Sequence, residues 1–218
     1  WRVRGGRKIM PFSERSYYLY SFPVTLYLGQ AIESGVLGRY EFKQGAAPLA
    51  DIEVGVFNGD ININSNGTDD TIQNIVMRAG VTPPQVPGLK AALSWVRNIA
   101  DTEELQAALP APPPVTELAH AVSGLAAWIE YQRPPFQVTA EYVSAMRDFG
   151  DAELDYDADG NGDRPSALNI ELGLTPPQRT DIMVVLRYAT SREFLYYPRT
   201  NIVLGCVWQV FENAVLAA

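Results

Sequence analysis

Apolar and polar residues alternate one by one along most of this chain. The clearest stretch runs from Gly124 to Val143. Leu125, Ala127, Ile129 and Tyr131 alternate with Gly124, Ala126, Trp128 and Glu130. After a tight Gln132-Arg133-Pro134-Pro135 turn, Phe136, Val138, Ala140 and Tyr142 alternate with Gln137, Thr139, Glu141 and Val143. A period of two sends successive side chains to opposite faces, so this stretch predicts a β-hairpin with one apolar and one more polar face. The same period predicts strands over about 32–43, 49–58, 72–82, 89–97, 167–174, 180–189 and 201–211, with a further strand beginning after Glu212-Asn213. Residues 1–10 alternate poorly and make the weakest strand. Residues 11–31 read as an aromatic, turn-rich segment. DTEELQAAL at 101–109 predicts a short helix, stopped by Pro110 and the prolines at 112–114.

The connections form a second pattern. Short ones lie near 44–48, 82–88, 132–135, 175–179 and 212–213, and long ones near 11–31, 58–71, 98–120, 148–166 and 190–200. Short and long alternate along the chain. In an up-and-down meander every second connection lies at the same end, so all short turns fall at one end and all long loops at the other. That is the layout of an outer-membrane barrel. A soluble meander or sandwich with one solvated face predicts the alternation within strands but not this order of connections.

Aromatic and charged positions agree with the barrel. Phe42, Tyr131, Phe136 and Phe211 sit on apolar faces at the short-turn ends, and Trp95, Tyr142 and Tyr188 nearer the long loops. Two such belts are expected at the two membrane interfaces. The opposite faces carry Arg39, Glu41, Asp51, Glu53, Arg78, Lys90, Glu130, Glu141, Glu171, Asp181 and Arg187. Charges of both signs suit a water-filled lumen and make these the expected pore-lining residues. In a dry core an unpaired charge costs several kcal/mol.

Composition narrows the classes. The chain has 218 residues and a formal net charge of −8, which disfavours a nucleic-acid partner. Charged residues make up 19%, below the usual quarter of a soluble domain. No apolar run approaches the roughly 18–20 residues of a transmembrane helix, a test that strands of a barrel escape. The single cysteine, Cys206, forms no internal disulfide and lies in register with Ile202, Leu204 and Trp208 as a small apolar residue.

Candidate chemistry is sparse. Asp155, Asp157, Asp159 and Asp163, with Gly160 at the sixth position, have the spacing of a calcium loop. Ser166 stands where that loop carries its bidentate Glu, so Ca2+ in this outer loop would order the loop without catalysing anything. A solvated acidic loop is the alternative. His120 is the only histidine and has no metal or catalytic set around it. There is no Ser/His/Asp set, P-loop or dinucleotide fingerprint, so no covalent chemistry and no required cofactor are expected. Tyr17, Tyr18, Tyr20, Phe22 and Tyr27 could fold inward as a constriction or ligand contact, or cap the barrel mouth.

Several segments together carry a resemblance. They are GRKIMPF at 6–12, PVTLYLGQAIES at 23–34, VFNGD at 56–60, SWVRNIADT at 94–102, EYVSAMRDF at 141–149, PSALNIELG at 165–173 and WQVFENAVLA at 208–217. On these the chain resembles the siderophore porins related to the legiobactin receptor. The resemblance implies an all-β, antiparallel up-and-down transmembrane barrel of about 16 strands in the bacterial outer membrane. It also implies passage or uptake of a small solute such as an iron–siderophore complex. Residues 1–218 would be one domain supplying ten strands and the start of another, incomplete at both ends. The partners expected are the lipid bilayer and the solute, with a homo-oligomer compatible with the porin likeness. Two alternatives stand beside the channel: a structural outer-membrane barrel, filled or blocked, whose long loops bind a partner, and a soluble calcium-binding β-sandwich.

Overall fold

A computed structural model of the chain describes residues 1–13, 18–19, 23–63, 72–109, 117–156, 159–194, 199–211 and 214–217. The strands are β1 (Arg2–Ile9), β2 (Ile32–Gln44), β3 (Ala47–Phe57), the short β4 (Asn62–Ile63), β5 (Asn74–Val81) and β6 (Leu89–Val96). They continue as the short β7 (Glu117–Leu118), β8 (Gly124–Arg133), β9 (Phe136–Ala145), β10 (Ser166–Leu174), β11 (Ile182–Arg192), β12 (Thr200–Phe211) and β13 (Ala214–Ala217). Two six-residue helices, α1 (Val24–Gly29) and α2 (Glu103–Ala108), lie in the long connections.

Eleven strands form one antiparallel sheet in the order β1-β2-β3-β5-β6-β8-β9-β10-β11-β12-β13, each beside its neighbour in sequence. The short β4 and β7 pair in parallel within the long loops. A sandwich needs two packed sheets of comparable extent, so the single meander sets that alternative aside. Strands β8 and β9 have ten residues each, β10 nine and β11 eleven. A tilted strand crosses a bilayer with about 9–11.

The strand β1 meets the expectation of a poorly alternating strand over residues 1–10. Its eight residues pair one for one with β2, from Arg2 opposite Arg39 to Ile9 opposite Ile32. A neighbouring ladder recruits backbone irrespective of how well the side chains alternate. The short helix expected from DTEELQAAL is α2, with Glu103 and Glu104 in its first turn. The helix α1, in the aromatic segment, had no helical period to announce it.

Burial is inverted relative to a soluble protein. Outward positions on successive strands are apolar and exposed: Leu93, Ile129, Leu172, Leu186, Ile202 at 68% and Leu204 at 73%. Inward positions include Glu130 and Arg187 at 2% and Glu171 at 0%. A soluble antiparallel sheet turns its apolar face to the core and its charges to water. Here Val138, Leu172, Leu186 and Leu204 form a cross-strand apolar row that no described residue covers. Phe42, Phe136, Tyr142, Tyr188 and Trp208 share this exposed face, as the two aromatic belts require; the side chain of Phe211 lies outside the described residues. No described helix is long and apolar enough to cross a membrane.

The inward face is graded along its length. Nearest the long loops it is apolar: Leu37, Phe57, Val76, Val96, Ala126, Val143, Ala167 and Ala189 join one cluster with Met10, Phe12, Leu28, Ile99, Leu105 and Leu118 from the connections. Strands β2 to β11 of the large sheet all send a side chain into this one cluster, which requires a sheet curved around it. The filling comes chiefly from the segment between β1 and β2 and from the 3-10 turn Ile99–Asp101 with α2. Helix α1 packs against β9, β10, β11 and α2, far from its own neighbours in sequence. Gly29 permits the approach, since a Cβ there would collide with the Ser13 side chain and stand 3.5 Å from a methyl of Val143.

Candidate functional site

The alternation that makes the strands also fixes which side chains can meet inside. Register places Lys90, Glu130, Thr139, Glu171 and Arg187 in one inward row across β6, β8, β9, β10 and β11. Arg39, Glu53 and Arg78 form a second across β2, β3 and β5. Of the eleven pore-lining residues expected from sequence, Arg39, Glu41, Asp51, Glu53, Arg78, Lys90, Glu130, Glu141, Glu171 and Arg187 occupy inward positions.

Asp181 departs from that expectation. It lies in the turn before β11, where its carboxylate accepts Arg179 Nε at 3.0 Å and Nη2 at 2.9 Å, and the indole N–H of Trp208 at 3.0 Å. Trp208 belongs to the exposed apolar face, so Asp181 serves the rim and not the lumen. The Arg179 hydrogen bonds hold its carboxyl at about 2. The local reason is that alternation ceases to place side chains once the ladder ends.

Several of the inward charges are paired. Arg78 Nη1 meets Asp51 Oδ2 at 2.7 Å, Arg39 Nη2 lies 3.5 Å from Glu41 and 3.6 Å from Asp51, and Lys90 Nζ lies 3.3 Å from Glu130. Gly80 makes room for this network: a Cβ there would stand 2.5 Å from Asp51 Oδ1 and 3.0 Å from Arg78 Nη1. Beside these pairs is a cavity of about 420 Å³ whose lining includes Arg39, Asp51, Arg78, Lys90, Trp128 and Glu130. Two buried donors there, Arg39 Nε and Trp128 Nε1, have no acceptor among the described residues. A buried N–H without an acceptor costs about 1–3 kcal/mol.

The deepest pair also holds the inserted segment. Arg187 Nε donates to Glu171 Oε1 at 2.6 Å, and the other carboxylate oxygen accepts the backbone N–H of Tyr18 at 2.6 Å. Thr139 Oγ1 lies 3.3 Å from the Tyr18 hydroxyl. Tyr18 is therefore bound to the barrel wall, and Tyr27 packs against the apolar cluster. These two aromatics fold inward; Tyr17, Tyr20 and Phe22 lie outside the described residues.

A polar knot that the sequence did not announce ties the long loops together. Asp101, 2% exposed, accepts Asn74 Nδ2 at 2.6 Å and the Ile61 N–H at 3.0 Å. Asn74 also donates to the Asn98 carbonyl at 2.7 Å. Burial pushes the Asp101 carboxyl up to about 6 against these hydrogen bonds. An Asx-rich pair of loops was the only visible signal.

In the acidic loop, Asp155 accepts the N–H of Asp159 at 3.2 Å and of Gly160 at 3.1 Å, and Asp159 accepts Asn161 N–H at 2.8 Å. Asp163 accepts the N–H of Tyr156 and is buried. These carboxylates satisfy the loop's own backbone. Among the described residues no three metal-ligating side chains converge; Asp157 lies outside them. His120 is exposed, as expected of a loop residue.

The chain superposes on the outer membrane channel DcaP of Acinetobacter baumannii with a TM-score of 0.56 and 12% identity, over 99% of this chain and 63% of that one. The chain thus spans about three-fifths of the length of that channel. No family model matches the chain, and no curated protein matches it in sequence. At this identity the likeness is one of fold. It bears out a porin-like barrel and does not carry the closer relation to the legiobactin receptor.

Proposed function

We propose that this chain forms wall and lumen of a bacterial outer-membrane channel that passes a small polar or charged solute. The observation that carries the reading is the inverted burial: Leu204 and Ile202 exposed on one face, Glu171 and Arg187 buried on the other. The apolar face suits lipid, and the paired charges suit a lumen that remains wet beside them. Selectivity would come from the width left by the inserted segment, from the Arg39–Arg78–Lys90 side of the cavity and from the long loops. No bond is made or broken in this function. A ferric siderophore is the specific solute that the sequence resemblance suggests.

The apolar cluster inside the long-loop end favours a second reading, a filled barrel whose loops bind a partner. Planar-bilayer conductance of the protein, with ferric siderophore added to one side, separates the two. Open current blocked by the siderophore supports the channel and its solute. Current that the siderophore leaves unchanged supports the channel alone. Insertion without current supports the filled barrel, and a protein stable in plain buffer that never inserts defeats both.

A further inference from the structure

The outward face carries a second cavity at its long-loop end, of about 290 Å³, lined by Tyr142, Ser144, Arg164, Ser166, Arg192 and Glu193. Its position follows from register. Ser144 lies opposite Ser166, and Ser166 opposite Arg192, in one row across β9, β10 and β11. These positions share the parity of Tyr142, Leu172, Leu186 and Tyr188, the exposed apolar side chains of the same strands. The cavity therefore sits at the upper border of the lipid-facing wall, outside the lumen.

The chemistry there is cationic and directional. Arg164 Nε is fixed by the Ala145 carbonyl at 3.0 Å, and its backbone N–H by Glu193 Oε2 at 2.5 Å. Arg164 lines the cavity, and its Nη groups make no hydrogen bond to another described residue. Arg192 is exposed, and among the described residues its guanidinium has no acceptor. Glu193 supplies the one acidic side chain in the lining, against two arginines. Planar guanidinium forks match tetrahedral oxyanions bidentately. Directly below, Tyr142 and Leu168 share the next outward row with Thr190, and Ile170 and Tyr188 follow in the row after it, where the apolar wall begins.

We propose that this cavity binds the phosphorylated headgroup of a membrane lipid, with Arg164 and Arg192 on the phosphate and the acyl chains laid over Tyr142 and Tyr188. A free anion would gain nothing from the apolar wall beneath the arginines, and a neutral lipid nothing from the arginines. The site rests on the membrane reading of the proposed function but not on transport.

The test is native mass spectrometry of the detergent-purified protein with bisphosphorylated lipid A and with the same lipid dephosphorylated. The phosphorylated lipid should be retained selectively. Arg164→Gln and Arg192→Gln should each lower its retention about tenfold, the worth of one charge-assisted hydrogen bond. Arg133→Gln, at the opposite end of the strands, should leave it unchanged. The Arg192 substitution removes no side-chain bond among the described residues, so it reports even where Arg164→Gln disturbs folding. Equal retention of both lipids, or indifference to both variants, overturns the site. Displacement by an equal concentration of inorganic phosphate assigns it to the free anion and also overturns the proposal. Vesicle flotation separates the premises: a protein that does not float defeats the membrane reading and the site together, whereas one that floats without phosphate preference defeats only the site.

Discussion

Leu186→Arg is the substitution that most sharply divides lipid from water. Leu186 lies near the middle of β11, 43% exposed, between Leu172 and Leu204 in the outward row. At an exposed site in water such a change moves stability by no more than about 0.5 kcal/mol. Facing the bilayer midplane, an arginine costs about 2–4 kcal/mol, and the cost falls to about 0–1 kcal/mol near the interfaces. The expected loss at Leu186 is thus roughly 30- to 900-fold in the folded-to-unfolded ratio. Leu174 is similarly exposed but ends β10 beside the short turn, so Leu174→Arg should cost at most about 1 kcal/mol. Equilibrium unfolding in phospholipid vesicles, followed by tryptophan fluorescence with urea, measures both. A Leu186→Arg protein within about 0.5 kcal/mol of its parent would refute the lipid-facing assignment. Equal losses at the two positions would refute the depth ordering.

Glu171→Ala removes the acceptor that ties Tyr18 to the wall, so single-channel conductance should rise; an unchanged conductance would mean that this bond does not hold the constriction. Gly80→Val forces a side chain into the space of the Arg78–Asp51 pair and should change the charge selectivity of the current, read as a shifted reversal potential in a salt gradient; an unshifted potential counts against those residues lining the path. Asp101 binds its proton more tightly folded than unfolded, because burial raises its carboxyl to about 6. Its stabilising contribution is full below about pH 4 and is lost as pH rises through 6, on the order of 2–3 kcal/mol. The unfolding free energy from chemical denaturation should therefore fall over that interval relative to an Asp101→Asn variant, and parallel profiles would contradict it. In the acidic loop, where Asp155, Asp159 and Asp163 already accept backbone N–H groups, adding and then chelating calcium should leave the melting temperature unchanged; a reversible rise would show that Asp157 completes a cage.

The faces of the strands were legible in the sequence because side chains alternate across a pleated sheet. Ten of the eleven expected lumen positions, from Arg39 to Arg187, point inward for that reason alone. Asp181 escaped because it sits one residue outside its strand, where the turn and Trp208 direct it. The filling of the barrel escaped for a different reason. Its apolar signal was present, in Val76, Val96 and Val143 closing otherwise polar stripes, but each looked like an isolated exception until neighbouring strands aligned them.

The meander, its two faces and the separation of short turns from long loops depend on local period and on the order of connections, and both are written along the chain. What occupies the enclosed space depends on partners brought together by folding. The Tyr18–Glu171 bond joins residues 153 apart in sequence, and the Ile61–Asp101 bond residues 40 apart. Such partners are chosen by the curvature of the sheet and by which donors remain unsatisfied once the strands have paired. No periodicity along the chain encodes either.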